Sequence, residues 1–195
     1  MSATDPLSPK AAARKAAFAR RKEAHATFEG AALAATEHLL KKLKGHKPTV
    51  ISAYLPIRTE LDPQPAIAAL AARGHQMCLP VVQGPGLPLS FRAYAPGDAL
   101  IEGAFKALIP QSGAWLEPQV LIVPLVAFNR SGYRLGYGGG FYDRTLEGLR
   151  ARGPVQAFGF AYAAQEAETL PLEPTDQPLD AIITERGVVR PLAQE

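Results

Sequence analysis

The apolar run VLIVPLVAF at residues 120–128, followed a few residues later by RLGYGGGFYDR at 134–144, constrains this chain more than any other feature. A short apolar stretch of this kind reads as a strand buried on both faces, and such strands belong to sheets that helices cover. After an NRSG turn, the glycine-rich segment leads into DRTLEGLRARG, where Tyr142, Leu146 and Leu149 share one helical face. VISAYL, QMCLPVV, LPLSFRAY, VQAFGFAY and DAIIT supply further strands. Residues 8–44 are rich in Ala, Leu, Lys, Arg and Glu, and predict two helices broken near Gly30. AIAALAARG predicts another, with Asp62 able to cap it and Gly74 ending it. The Gly- and Pro-dense region 95–118 reads as an irregular connection. Strands alternating with helices predict one α/β domain over residues 1–195, with a largely parallel sheet preceded by N-terminal helices.

Composition narrows the class. With 47% hydrophobic and 20% charged residues, the chain has the profile of a soluble globular protein. The 120–128 run is broken by Pro124 and falls short of the roughly 20 residues that span a bilayer. The opening MSATDPLSPK has no apolar core of a secretory signal, and Glu23 and Glu29 argue against a transit peptide. The single Cys78 excludes an internal disulfide; it fits a reducing cytoplasm and reads as an inert core thiol. Formal net charge is +3, with +6 before residue 51 and −3 after it. A basic arm of this kind suits phosphate-bearing ligands or nucleic acid.

A glycine-rich loop between a buried strand and a helix lies at the carboxyl edge of the sheet, where open α/β folds bind ligands. Gly136, Gly138, Gly139 and Gly140 can adopt positive φ and bring backbone N–H groups up to an anion. The helix N-terminus adds to this phosphate cradle, with Arg134 and Arg144 flanking it. Asp143 is favoured there by the helix dipole and can also hold Mg²⁺. The dinucleotide fingerprint is excluded because Phe141 stands where its third glycine belongs, and a P-loop is excluded for want of its Lys-Ser/Thr pair. Tyr137, Phe141 and Tyr142 among the glycines set the segment apart from a plain linker. At 100° per residue, Lys10, Arg14 and Arg21 fall within one narrow arc and can face one ligand.

RLGYGGGFYDRTL after VPLVAFNRSGY closely resembles the signature of the 5-formyltetrahydrofolate cyclo-ligase family, also called 5,10-methenyltetrahydrofolate synthetases. The likeness extends over nearly the whole chain, through Lys10 and Arg14, YLPIRTELD, and the closing GFAYAAQEAETLPLEPTDQPLDAIITE. It implies a three-layer α/β/α fold, similar to the sugar-phosphate isomerase and CoA-transferase group. It also implies an ATP- and Mg²⁺-dependent ligase that cyclises 5-formyltetrahydrofolate to 5,10-methenyltetrahydrofolate, releasing ADP and phosphate by way of a phosphorylated formyl group.

Carried over by position, the resemblance assigns Lys10, Arg14, Arg134, Leu135, Gly136, Tyr137, Gly138, Gly139, Gly140, Phe141 and Tyr142 to ATP. It assigns Leu55, Glu60, Tyr137, Gly138, Gly139, Gly140 and Phe141 to the reduced folate. Arg134 and Arg144 become the catalytic cations, and Asp143 and Asp180 the Mg²⁺ ligands. Arg21 lacks motif support and stays outside the site. Tyr54 can stack on the pterin or serve the core, and Glu60 can alternatively pair with Arg58. Departures are Asn129 for a common Asp, Thr175 for the histidine of a His-Asp pair ending at Asp176, Phe141 for a frequent tyrosine, and Gly139 for an occasional lysine. The four histidines have no metal spacing. The protein is read as a cytoplasmic monomer acting on small molecules, without nucleic-acid or membrane partners. The alternatives are another enzyme of the same fold group and a nucleic-acid binder using the basic arm.

Overall fold

The computed structural model of the chain describes residues 8–191. The reading of the first residues as free of a leader, and the outer ends of the domain expected over 1–195, lie outside them. Helix α1 (Pro9–Thr27) starts where Ser8 Oγ accepts the Ala11 N–H at 3.1 Å and Pro9 supplies a preset φ. Gly30, at φ 78°, turns the chain into α2 (Ala31–Lys42). Then come β1 (Val50–Ser52), α3 (Gln64–Ala72), β2 (Gln76–Val82) and β3 (Leu89–Ala93). Short strands follow: β4 (Leu100–Glu102), β5 (Leu108–Pro110), β6 (Trp115–Leu116), β7 (Val120–Val123), β8 (Ala127–Phe128) and β9 (Arg134–Leu135). The chain closes with α4 (Phe141–Arg152), β10 (Gln156–Phe160), β11 (Ala181–Thr184) and β12 (Gly187–Val189).

The main sheet has the order β12-β11-β10-β7-β1-β2-β3-β6. Its inner strands β11, β10, β7, β1 and β2 are parallel, and β12, β3 and β6 add antiparallel edges. Strands β7 and β11 are buried along their whole length, because helices cover both faces. Alternation sorts their side chains. Val120, Ile122 and Ile183 join Leu39 of α2 and Ile67 and Leu70 of α3, whereas Leu121, Val123 and Ile182 join Leu146 and Leu149 of α4.

Three expectations change. VLIVPLVAF is not one strand: Pro124 has no N–H for the ladder, so β7 ends at Val123 and Ala127–Phe128 pairs with β9 in a separate hairpin. The stretch 95–118 is not irregular, since β4 and β5 form a hairpin and β6 joins the main sheet. Strand β12 arises after a turn at Glu185–Arg186 and had no alternating signal. Asp62 acts one residue earlier than a standard cap, accepting the Gln64 N–H at 2.9 Å while Pro63 holds the cap position. Cys78 is buried, and burial pushes its thiol up to about 12, as an inert core group requires. No helix among the described residues is long and apolar enough to cross a membrane.

Gly159 of β10 marks the tightest packing in the sheet. A Cβ there would stand 2.7 Å from Leu125 Cδ2, 3.0 Å from Leu179 Cδ1 and 3.2 Å from Ile182 Cγ1. All three neighbours are buried, so none can swing aside into solvent. Gly159→Ala is expected to destabilise the fold by about 1–3 kcal/mol through overpacking. Thermal unfolding followed by circular dichroism should register a midpoint several degrees lower.

Candidate active site

Helix α1 lies on the glycine loop and is fastened to it along one side. Ala17 packs into a small apolar cluster with Val126, Ala127 and Leu135. Leu135 is 3% exposed, so its side chain supports the loop from below and only its backbone can meet a nucleotide. One turn earlier on α1, Arg14 Nε donates to the Gly136 carbonyl at 2.9 Å. A Cβ on Gly138 would stand 3.1 Å from Arg14 Nη2, and Gly138 has φ 104°, so glycine is required there twice over. Arg144 closes the other side: Nη2 donates to the Gly139 carbonyl at 2.5 Å, and the guanidinium lies over the Phe141 ring.

Of the four loop glycines expected to take positive φ, Gly138 and Gly140 do so. Gly139 is needed for room instead, since a Cβ would meet the Phe141 ring at 2.5 Å. Gly136 has open space around it. Lys10 reaches away from the loop, binding Asp176 at 3.0 and 3.2 Å and Glu173 at 3.2 Å. Asp176, which follows Thr175, thus anchors the basic residue at the start of α1.

Beneath the loop lies a polar group in which Arg21 and Glu60 are buried and Tyr137 reaches the surface. Tyr137 OH donates to Glu60 Oε1 at 2.9 Å, and Arg21 Nη2 donates to Tyr137 OH at 2.9 Å. Arg21 Nη1 stands 3.7 Å from the same carboxylate oxygen, and Arg21 Nε donates to Thr59 Oγ1 at 3.1 Å. Glu60 Oε2 accepts the Ile57 N–H at 2.8 Å. The turn between β1 and α3 therefore aims Glu60 inward at Arg21, and exposed Arg58 is not its partner. Burial raises the Glu60 pKa, while the Ile57 N–H, Tyr137 and Arg21 pull it back down. Burial and the neighbouring Glu60 charge push Tyr137 up to about 12, so it remains a hydroxyl donor.

Leu55 packs half-buried against the apolar core that includes Tyr54 and Leu61. Tyr54 is a core residue: its hydroxyl donates to the Leu61 carbonyl at 2.6 Å, which takes its ring out of reach of a stacking ligand. The Tyr142 hydroxyl is buried without a hydrogen-bond partner among the described residues, and burial raises its pKa strongly. Phe141 opens α4, and exposed Phe105 from the β4–β5 tip meets it edge-on at 5.8 Å.

Arg134 and Asp143 lock α4 to β9. The Arg134 side chain is 4% exposed, with Nη2 donating to Asp143 Oδ1 at 2.7 Å and Nη1 to the Gln177 carbonyl at 2.6 Å. Arg134 was expected to face phosphate; its guanidinium is instead spent inside the protein. The Gln177 N–H also uses Asp143 Oδ1, at 3.0 Å, and neither of these donors engages Oδ2. Asp180 stands at the amino end of β11, where Oδ2 accepts the Ala157 N–H at 2.7 Å and pairs with Arg150 at 3.2 Å. The two aspartates thus serve different arginines, from opposite ends of α4. No group of three or more His, Cys, Asp or Glu forms a metal cage among the described residues. A single half-used carboxylate at a helix start suits Mg²⁺ that takes its other ligands from phosphate and water.

The structure brings Arg14, Glu60, Tyr137, Gly138, Gly139, Gly140, Phe141 and Arg144 to one place, and holds Lys10 and Asp143 at its margins. Arg21 belongs to this group although no motif marked it; its position on the arc shared with Lys10 and Arg14 was the signal. The chain matches the model of the 5-formyltetrahydrofolate cyclo-ligase family over residues 8–185. It is 38% identical over 144 residues to the 5-formyltetrahydrofolate cyclo-ligase of Escherichia coli (strain K12), covering 69% of this chain and 76% of that protein. To the enzyme of that name from Haemophilus influenzae it is 32% identical over 155 residues, covering 76% and 82%. Among solved structures, the 5,10-methenyltetrahydrofolate synthetase of Aquifex aeolicus superposes with a TM-score of 0.71 at 29% identity, covering 96% of this chain and 95% of that one. The synthetase of Mycoplasma pneumoniae shares the fold, with a TM-score of 0.70 at 24% identity over 90% of this chain and 98% of that one. With the family model matched over residues 8–185 and relatives of this kind along most of its length, the chain belongs to the 5-formyltetrahydrofolate cyclo-ligase family.

Proposed function

We propose that this site performs the family's reaction, the ATP-driven cyclisation of 5-formyltetrahydrofolate to 5,10-methenyltetrahydrofolate with release of ADP and phosphate. The observation that supports it is the glycine loop held by Arg14 and Arg144, with its Tyr137 bonded to buried Glu60; the loop reads as an anion cradle and Glu60 as the hydrogen-bond acceptor beside it. The chemistry needs both. A formamide carbon is a weak electrophile, so its oxygen first takes the terminal phosphoryl group of ATP, and ADP departs. Nitrogen-10 then attacks the activated carbon, the C–O bond breaks, phosphate leaves with the oxygen, and nitrogen-10 loses its proton as the ring closes.

Phosphoryl transfer asks the protein for position and fixed charge more than for covalent help. The N–H groups of 138–140 and the start of α4 receive phosphate oxygens, and Arg14 and Arg144 supply charge from either side. Lys10 adds to the nucleotide contacts when phosphate competes with Asp176 and Glu173. Arg134 acts through Asp143, holding it at the helix start. Asp143 Oδ2 is the oxygen offered to Mg²⁺, which when bound neutralises phosphate charge; Asp180 serves as a more distant carboxylate. Glu60 accepts hydrogen bonds from the pterin amino and ring N–H groups, Leu55 packs on the ring, and Tyr137 and Phe141 line the substrate between the two ligands. The wider fold is that of the sugar-phosphate isomerase and CoA-transferase group. The protein works as a cytoplasmic monomer on small molecules, without a nucleic-acid or membrane partner.

Incubation with 5-formyltetrahydrofolate, ATP and Mg²⁺ is expected to develop the methenyl absorbance, with one ADP and one phosphate per product. Omitting ATP or adding EDTA should stop it; turnover unaffected by ATP omission would point to a different enzyme of this fold. Gly138→Ala adds a Cβ at φ 104° and 3.1 Å from Arg14. Its expected effect is a rise in the KM for ATP of about tenfold or more, from the displaced guanidinium and loop. Steady-state kinetics with each substrate varied in turn would measure this, and an unchanged ATP KM would remove the loop from the nucleotide site.

A further inference from the structure

Arg21 is 1% exposed, and a guanidinium is expensive to bury unless its donors and charge are answered. Here Nε, Nη2 and the charge are answered by residues from separate parts of the chain. Nε meets Thr59 and Nη2 meets Tyr137, while Nη1, 3.7 Å from Glu60 Oε1, has no hydrogen-bond partner among the described residues. The rings of Phe18 and Tyr137 lie 5.2 and 5.6 Å from the guanidinium carbon and keep it in place. We propose that Arg21 is a positioning residue of the reaction: through Tyr137 and Glu60 it sets the folate-binding carboxylate and the nucleotide loop in one fixed arrangement. This rests on the reading of Glu60 as a folate contact.

The hydrogen bonds have a direction that supports the role. A guanidinium only donates, so Tyr137 OH must accept from Arg21 and spend its one hydrogen on Glu60. The Ile57 N–H holds the other carboxylate oxygen, so Glu60 is fixed from both sides with lone pairs to spare. Movement of Tyr137 with the loop would shift both Arg21 and Glu60. The titratable groups facing Glu60 are Arg21 from α1, Tyr137 from the loop, Tyr142 from α4, and Tyr54 from the segment after β1. Of these only Arg21 is a cation. Burial acts to protonate Glu60, and Arg21 opposes it.

The sign of the pH effect follows. A contact that needs ionised Glu60 is lost as pH falls through the Glu60 pKa. Removing the Arg21 charge raises that pKa, so the acid limb of kcat/KM for the folate moves to higher pH. Arg21→Met should move it to higher pH and raise the folate KM at neutral pH about tenfold or more. A purely structural role would lower the fraction of active protein without moving the limb. Glu60→Gln removes the titrating group, so its profile should lose the limb, and adding Arg21→Met to it should cost little more. If Glu60→Gln leaves the folate KM and the limb as they were, the folate assignment of Glu60 is wrong. If Glu60→Gln removes the limb but folded Arg21→Met keeps it at the original pH, the assignment stands and the Arg21 proposal is overturned. Should Arg21→Met not fold by circular dichroism, Arg21→Lys is the second variant. It keeps a charge but cannot serve Thr59 and Tyr137 together, so the limb should hold while the folate KM rises; an unchanged KM would overturn the proposal.

Discussion

The contact on which the site depends is the seating of α1 over the glycine loop. A loop of four glycines within five residues has little to hold it from within, because each glycine lacks the side chain that would choose a conformation. Its shape comes from outside. Arg14 takes the carbonyl of Gly136, Arg144 takes that of Gly139, and Arg21 takes the hydroxyl of Tyr137. Ala17 and Leu135 supply the apolar contact that brings the helix close enough for these bonds. Carbonyls turned toward arginines leave the intervening N–H groups to point elsewhere, which is what an anion cradle requires.

That dependence separates the roles of the basic residues. Lys10, Arg14 and Arg21 share one helical arc and Arg134 and Arg144 flank the loop in the sequence reading, yet each of the five meets different partners. Arg134 and Arg21 are nearly sealed and bound to carboxylates, so they contribute geometry more than available charge. The Lys10 side chain is 12% exposed and bridges two acids, Glu173 and Asp176. Arg14 and Arg144 each donate to a backbone carbonyl of the loop. These two are therefore the cations that hold the loop itself.

Much of this was legible in the sequence, and the reason is local. Strands β2, β7, β10 and β11 announce themselves because burial on both faces demands continuous apolar residues. Helices α1 and α2 follow from composition, with Gly30 between them. The β4–β5 hairpin was missed because Gly and Pro dominate its surroundings and each strand has three residues, too few for alternation to show. Its tip uses Phe105 and Lys106 at φ 58° and 62°, where asparagine or glycine would have advertised a turn. Arg21 was placed on the correct helical arc, but which arc residue turns toward a carboxylate 39 positions away is decided by packing between elements. Its Nε partner Thr59, 38 positions on, shows the same limit.

Asp143 shows how the two kinds of information combine. Its place in the first turn of α4 was readable, and the helix dipole alone would favour a carboxylate there. The structure adds that Arg134 and the Gln177 N–H converge on Oδ1. Two donors on one oxygen fix the carboxylate plane and direct the other oxygen away from β9. Asp180, bound to Arg150 at the far end of the helix, does not share that direction. Under the proposed function, one oriented carboxylate leaves most of the Mg²⁺ coordination to the nucleotide and water, so metal and ATP arrive as a unit. The protein then has no need of a preformed cage, and the same Arg134 that first reads as a phosphate cation serves the metal by holding its ligand still.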